Sequence, residues 1–330
     1  MNENLNTCQE VTAQENCEST HNTTTHDTHT GTKETVKAAP RKRRLGDRSD
    51  GYKLRTIHGM NKIMPFIMPQ RCDACNTFAE TLDITETEKF VSEQLMAGNE
   101  GFSILHVILA AYVRTVSQHP ALNRFVSGQR IFARNDIQIT MTVKKSMSID
   151  SPDTCIKVWF EPEDTILDVY NKFNKVVDDA KLEEDGNAGF ENVMGTLSKL
   201  PRPILRLAVS LLNTMDYYGL LPKSLLNISP FHGSMVITSM GSLGIKPIYH
   251  HIYNFGNLPV FVSYGAKRRD VTTDRRGNVI TKKVIDMKVV TDERICDGFQ
   301  YAAAFKCWKK YIENPALLID PPESVKQDID

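Results

Sequence analysis

A strand-like run passes directly into a helix-like run near the C-terminal end of the chain. Residues 284–290 favour a β-strand with one buried face, because apolar and polar side chains alternate there. From residue 299 to residue 312 large apolar side chains recur at helical spacing, and Pro315 ends that pattern. The turn between the two runs, residues 292–298, reads DERICDG. A strand that ends in a polar turn at a helix start is a common place for a catalytic side chain, so this turn is the first candidate site.

The remaining patterns mix helices with strands. Helical periodicity predicts helices over residues 102–118, 165–182 and 204–218. Strand patterns cover residues 137–143, 235–238 and 260–264, and shorter ones cover 279–280 and 284–290 after a hairpin turn at 276–278. The sequence therefore predicts an α+β fold in which helices flank a mixed β-sheet.

The chain divides into three parts by composition. Residues 1–50 are rich in Asn, Thr, Gln, Glu and His and poor in apolar residues, which predicts a disordered polar tail that ends in the basic linker Arg41–Arg44. Residues 51–320 have a globular composition and predict a single domain. Residues 321–330 predict a flexible C-terminal tail.

Charge and cysteine content narrow the class of protein. The 330 residues include 40 basic and 40 acidic side chains, so no net charge attracts nucleic acid or an anionic membrane. No run of 18 apolar residues is present. Seven scattered cysteines favour a reducing compartment, and the single C-x-x-C at residues 72–75 lacks the second pair of a zinc site. We expect a cytoplasmic protein that binds no metal, nucleic acid or membrane.

Four segments resemble one family in the same order along the chain. Residues 292–298 resemble the H-x-x-x-D-G signature, often D-H-R-x-x-D-G, of 2-oxoacid dehydrogenase acyltransferases and the related chloramphenicol acetyltransferases. Residues 119–123 (HPALN), 233–244 (GSMVITSMGSLG) and 311–318 (YIENPALL) are similar to other segments of that family. The resemblance implies the CoA-dependent acyltransferase fold, a homotrimer with active sites between subunits, and acyl-coenzyme A as the donor. We expect no lipoyl domain ahead of the catalytic part, because residues 1–50 are too few and too polar to form one.

The resemblance also implies roles for individual residues. The hydroxyl that stabilises the oxyanion falls on Thr238, with Ser239 as the neighbouring option. The structural aspartate falls on Asp297 and the turn glycine on Gly298. A carboxylate before a glycine at a helix start is also a capping signal, so the residues themselves favour a structural role for Asp297.

The partner of Asp297 differs from the family pattern. In the family an early arginine pairs with this aspartate, but here Asn61 occupies the arginine position. Arg55, Lys62 and Arg71 are the candidate replacements.

The family's catalytic histidine is replaced by Glu293. A free glutamate is a weaker base than histidine by about two pK units, and a general base contributes about 10²–10⁴-fold to a rate. Glu293 is therefore either the base or, between Asp292 and Arg294, part of a salt-bridged turn. His251, from the pair His250-His251, is the alternative base.

Two functions follow as hypotheses. The first is an acyltransferase that moves an acyl group from acyl-CoA to a small thiol or hydroxyl acceptor. The second is a catalytically inactive relative that acts as a binding or assembly module.

Overall fold

The computed structural model describes residues 41–144, 153–182 and 188–330. The strands are β1 Gly51–Lys53, β2 Cys75–Asp83, β3 Arg124–Ser127, β4 Arg130–Arg134, β5 Ile137–Lys144, β6 Asp153–Phe160, β7 Met235–Ser239, β8 Val260–Tyr264, β9 Arg268–Thr273 and β10 Val279–Asp292. The helices are α1 Gly59–Ile67, α2 Thr85–Met96, α3 Ile104–Gln118, α4 Ile166–Leu182, α5 Ala188–Ser198, α6 Arg202–Tyr217, α7 Lys223–Ile228 and α8 Gly298–Glu313.

The larger of two sheets is mixed and positions the candidate site. Its strand order is β2-β10-β8-β7-β5-β6, and β9 forms a hairpin with the first half of β10. Strand β7 runs parallel to both β5 and β8, while the other neighbours are antiparallel. A separate three-stranded sheet has the order β1-β4-β3. The predicted mixed sheet is confirmed.

Helices α3, α4 and α8 pack together against the larger sheet and build the core. Nearly every residue of α3 is buried, including its polar ones, because this helix is apolar around most of its circumference. Trp308 of α8 is fully buried and donates its indole N–H to the carbonyl oxygen of Ile108, 3.2 Å away. The C-terminal helix is thereby fixed to the centre of the domain.

Several elements differ from the sequence prediction. The two short strands predicted at 279–280 and 284–290 form one continuous strand of 14 residues. The intervening polar residues continue the ladder because they pair with β9 in a solvated hairpin, where no apolar face is required. Strand β2 and helices α1 and α2 were not predicted, although β2 pairs with β10 along nine residues.

Both predicted tails have described residues that lie against the domain. Arg48 is buried and pairs with Asp50 at 2.8 Å and with Asp216 of α6 at 2.7 Å. In the segment 321–330, for which the sequence predicts a flexible tail, Asp328 pairs with Arg124 at 2.6 Å and both side chains are buried. A buried ion pair loses its partner if the segment detaches, so this contact holds the segment in place. Residues 1–40 lie outside the described residues.

The β3–β4 hairpin has a two-residue turn. Gly128 and Gln129 have φ of 55° and 56°, and Ser127 pairs with Arg130. Two consecutive positive φ angles are typical of the type I′ turn, whose twist matches that of the strands. A Cβ on Gly128 would lie 2.3 Å from the carbonyl oxygen of Tyr217, so α6 packs directly onto this turn.

In the part of the chain described, every helix is too short or too polar to cross a lipid bilayer.

Candidate active site

A buried cluster of three charges fixes the turn between β10 and α8. Asp292, the last residue of β10, is fully buried and accepts hydrogen bonds from Arg294 Nε at 2.7 Å and Nη2 at 2.6 Å. Arg71 Nε lies 3.4 Å from the Oδ2 atom of the same carboxylate. Burial lowers the pKa of Arg71, and the Asp292 charge acts in the opposite direction. Buried charges persist only when they are paired, so the carboxylate and its two guanidinium groups act as one structural unit.

Additional hydrogen bonds secure the two arginines. Arg71 Nη1 donates to the carbonyl oxygen of Tyr253 at 2.9 Å, and Arg294 Nη1 donates to that of Met68 at 2.9 Å. Tyr301 of α8 donates its hydroxyl to the Asp292 carbonyl oxygen at 2.7 Å. The turn is therefore anchored to both the preceding loop and the following helix.

Glu293 lies between the two charged residues and takes no part in their ion pair. Its backbone N–H donates to the carbonyl oxygen of Ala74 at 2.9 Å, and the residue is half-buried. Within the described segments, the Glu293 carboxylate has no hydrogen bond and no ion pair. The salt bridge of the turn joins Asp292 to Arg294 and leaves the Glu293 carboxylate available.

Asp297 is the N-cap of α8. Its carboxylate accepts a hydrogen bond from the backbone N–H of Gln300 at 2.8 Å, and Gly298 begins the helix. The side chain is exposed, and among the described residues no arginine or lysine pairs with it. Arg71, a candidate partner for Asp297, pairs instead with Asp292, and Arg55 pairs with Asp47. The carboxylate that anchors this turn is therefore that of Asp292, the residue before Glu293, whereas the sequence predicted a structural role for Asp297.

Thr238 and His250 form a second polar pair, at the end of β7. Thr238 Oγ1 lies 3.0 Å from His250 Nε2 and 3.4 Å from the Val262 carbonyl oxygen. The His250 ring stacks on Phe261 with 4.2 Å between the ring centroids. Burial, and to a lesser extent His251, lowers the pKa of His250. The imidazole is therefore mainly neutral at pH 7 and able to orient the Thr238 hydroxyl.

The structure selects one residue of the histidine pair for contact with Thr238. His251, the residue predicted as the alternative base, is exposed and lies edge-to-face against Tyr253, with 5.3 Å between centroids. Ser239 is half-buried at the end of the same strand as Thr238. Neither composition nor spacing distinguishes two adjacent histidines, so the contact between Thr238 and His250 had no signal in the sequence.

Thr238 and Glu293 do not meet within one chain. Thr238 is opposite Ser263 in the β7–β8 ladder, and Ser263 is opposite Lys288 in the β8–β10 ladder. Glu293 follows Lys288 by five residues, which corresponds to roughly 16 Å along the strand direction. A single small substrate therefore cannot touch both side chains of the same chain.

A polar cavity of about 360 Å³ adjoins the charged turn. Arg71 and Arg294 form one side, and Asn213 and Tyr217 of α6 form another. The amides of Gln70, Gln129 and Asn254 also line it. The Tyr217 hydroxyl donates to Gln129 Oε1 at 2.8 Å, which fixes a side chain of the type I′ turn in the cavity wall.

Comparison with known proteins points to the same part of the chain. Residues 223–319 match the model of the catalytic domain of 2-oxoacid dehydrogenase acyltransferases. The resemblance to this family is confirmed. The matched residues include Thr238, His250 and the whole β10–α8 turn, whereas α6 lies outside them.

One related sequence and two solved structures give the extent of the similarity. The chain is 22% identical over 272 residues to the dihydrolipoyllysine-residue acetyltransferase component of the acetoin cleaving system of Bacillus subtilis, covering 80% of this chain and 56% of that protein. The chain thus spans about half the length of this relative.

The dihydrolipoamide acetyltransferase structure from Azotobacter vinelandii aligns with a TM-score of 0.51 and 14% identity, over 81% of this chain and 94% of that one. A chloramphenicol acetyltransferase structure aligns with a TM-score of 0.47 and 11% identity, over 77% and 94%. The CoA-dependent acyltransferase-like fold predicted from the sequence is confirmed.

Within residues 41–144, 153–182 and 188–330, no group of three or more His, Cys, Asp and Glu side chains is arranged to hold a metal ion. Cys72, Cys75, Cys155, Cys296 and Cys307 form no disulfides.

Proposed function

We propose that this protein transfers an acyl group from acyl-CoA to a hydroxyl or thiol of a small acceptor, in a homotrimer whose active sites lie between subunits. The observation that carries the proposal is the pair formed by the Thr238 hydroxyl and His250 Nε2, at the strand position where the resemblance implies an oxyanion-stabilising hydroxyl. The available carboxylate of Glu293, on its anchored turn, supports it.

The chemistry needs an oxyanion donor and a base. When the neutral His250 ring carries its proton on Nε2, it donates to Thr238 Oγ1, and the threonine hydrogen is free to point at a substrate oxygen. One such donor contributes about 10²–10³-fold to a rate. Glu293 takes the proton of the acceptor hydroxyl or thiol as that group attacks the thioester carbonyl. When the tetrahedral intermediate collapses, the C–S bond breaks and the CoA sulfur receives the proton from Glu293.

The separation of Thr238 from Glu293 supports the trimeric arrangement. Within one chain the two residues lie roughly 16 Å apart along the strand direction. One active site can therefore contain a Thr238 and a Glu293 only if they come from different subunits. A carboxylate is a weaker base than histidine by about two pK units, so we expect slow turnover.

The polar cavity beside the turn fits the acceptor. Its amides offer both donors and acceptors of hydrogen bonds, whereas the guanidinium groups of Arg71 and Arg294 are already engaged. We therefore place a polar, uncharged acceptor with hydroxyl or amide groups there. Its contacts with Asn213 and Tyr217 would come from α6.

Subunit complementation tests this proposal. Wild-type protein is assayed for acetyl-CoA turnover with a panel of polyols and thiols, beside Thr238→Val and Glu293→Gln, with His251→Ala as the matched control. We expect Thr238→Val and Glu293→Gln each to lower kcat by at least about 10²-fold, and His251→Ala to retain activity. Trimers that combine the two inactive variants contain sites with both native residues, so refolded mixtures should regain part of the activity.

Two results would count against the proposal. A mixture no more active than its components refutes a site shared between subunits. Absence of wild-type turnover with every acceptor refutes the catalytic assignment.

A catalytically inactive binding or assembly module is the second candidate. What favours it is the carboxylate of Glu293 at the position where the resemblance implies a histidine. This function predicts a stable trimer that binds CoA in calorimetry and releases no free thiol from acetyl-CoA. Seven cysteines scattered without framework spacing fit a cytoplasmic location for either function, which cell fractionation tests.

A further inference from the structure

Four basic side chains converge on a second cavity, which shares Gln129 of the β3–β4 turn with the polar cavity. The cavity has a volume of about 340 Å³ and lies among β1, β4 and α1. Its cations are Lys53, Arg55, Lys62 and Arg130. A volume of this size is within the usual range for small-molecule sites, about 300–1,000 Å³.

The floor of this basic cavity is apolar. Three buried aliphatic side chains and a buried proline contribute to it: Leu54, Ile57, Ile131 and Pro65. The exposed ring of Phe66 completes the wall on the α1 side. The cavity therefore combines a cationic rim with an apolar surface, which suits a ligand that has a charged group and an apolar body.

Three of the four cations have no acidic partner among the described residues. Among the described residues that line the basic cavity, none is Asp or Glu. The nearby Asp47 is buried and already accepts from Arg55 Nη2 at 2.9 Å and from the backbone N–H of Lys53 at 3.0 Å. Within the described segments, Lys53, Lys62 and Arg130 form no ion pair.

Mutual repulsion among these groups is evident at Lys53. Burial lowers its pKa first, and Arg130, Arg55 and Lys62 lower it further. Asp47 acts on Lys53 in the opposite direction. Because Lys53, Lys62 and Arg130 form no ion pair among the described residues, their mutual repulsion is unfavourable in the empty site, and an anion relieves it.

We propose that this basic cavity binds an organic phosphate, with the phosphate oxygens at Lys53, Lys62 and Arg130 and an apolar or aromatic body against Phe66. The site is distinct from Thr238 and Glu293 and does not depend on the acyl-transfer chemistry. A free nucleoside diphosphate and the nucleotide end of a CoA thioester share the required chemistry, and the experiment separates them.

The test measures binding to the full-length chain by calorimetry at low ionic strength. The probes are ADP, CoA and inorganic pyrophosphate.

The variant Lys62→Gln/Arg130→Gln removes two of the cavity's cations. The matched control, Arg275→Gln/Arg276→Gln, removes two exposed cations from the β9–β10 turn. We expect the first variant to weaken ADP and CoA binding by at least about tenfold, and the control to change it by less than about twofold. Phe66→Ala should weaken ADP binding and leave pyrophosphate binding unchanged.

The outcomes distinguish the sources. If ADP competes with acetyl-CoA and the Lys62→Gln/Arg130→Gln variant raises the KM for acetyl-CoA at constant kcat, the ligand is the CoA nucleotide. If ADP binds without competing, the ligand is a free nucleotide. Equal binding to wild type and to Lys62→Gln/Arg130→Gln overturns the proposal, as does no binding of any probe at millimolar concentration. Calorimetric binding is measured without turnover, so failure of the acyltransferase proposal leaves the binding result intact and removes only the comparison of KM values.

Discussion

Replacement of Asp292 by asparagine should destabilise the domain severely. Asp292 is the only carboxylate in direct contact with Arg71 and Arg294 among the described residues, and all three side chains are at most 6% exposed. Asp292→Asn keeps the shape of the side chain but leaves two buried guanidinium groups without a counter-charge. Breaking a buried pair from one side costs about 3–5 kcal/mol, a large fraction of the roughly 5–15 kcal/mol that stabilises a typical domain.

A second aspartate provides a matched control. Asp286 also accepts two hydrogen bonds from one guanidinium, at 3.0 Å from Arg268 Nε and 3.0 Å from Nη2, but both side chains are partly exposed. Solvent screens such a pair, so Asp286→Asn should cost less than about 1 kcal/mol.

Urea unfolding and thermal melting of the two variants measure this difference. We expect the melting temperature of Asp292→Asn to fall by about 10 °C, since 1 kcal/mol corresponds to about 2–4 °C for a domain of this size. Equal losses of unfolding free energy in Asp292→Asn and Asp286→Asn would show that the buried cluster does not anchor the turn.

Three further predictions address the β3–β4 turn, a buried lysine and the cavity wall. In Gly128→Ala the new Cβ would lie 2.3 Å from the Tyr217 carbonyl oxygen. Gly277 also has a positive φ but has open space around it, so Gly277→Ala is the control. We expect Gly128→Ala to lower the free energy of unfolding by at least about 1 kcal/mol more than Gly277→Ala. Burial lowers the pKa of Lys157 to about 7, against about 10.4 in the unfolded chain. Between these two pH values the unfolded chain binds more protons than the folded one. Lys157 therefore makes the free energy of unfolding rise with pH by up to about 1.4 kcal/mol per pH unit. Urea titrations at pH 7 and pH 9 should show a smaller rise in the variant Lys157→Met. Asn213→Ala should raise the KM for the acceptor about fivefold and leave the KM for acetyl-CoA unchanged. Equal changes in both KM values would show that α6 does not form part of the acceptor site.

Regular periodicity made most of the core predictable. The helix over residues 102–118 and the strand over 260–264 follow from local spacing alone, and the structure has them as α3 and β8. Strand β2 was missed because the nine side chains from Cys75 to Asp83 do not form a continuous apolar stripe. Only Leu82 is buried, and the strand gains its place by pairing with β10. Helix α1 contains Pro65, which argues against a helix when the sequence is considered alone.

The candidate site was predictable only where its contacts are local. Asp297 lies three residues from the N–H group that it caps, so a short motif contains the whole interaction. Asp292 and Arg71 are far apart in the chain, and only the pairing of β2 with β10 brings them together. The same holds for Thr238 and His250, because the segment from Lys246 to Pro259 has no regular period from which its side-chain directions could be inferred.

The charge count of the β10–α8 turn gives Glu293 a further meaning. Asp292 balances only one of its two guanidinium partners, so the buried cluster retains one positive charge. Glu293, on the adjacent residue, places a further acidic side chain beside this excess of positive charge. The variant Glu293→His would remove this carboxylate and place either a neutral or a second positively charged group beside the buried cluster. We therefore expect Glu293→His alone to alter the charge balance of the turn that joins β10 to α8.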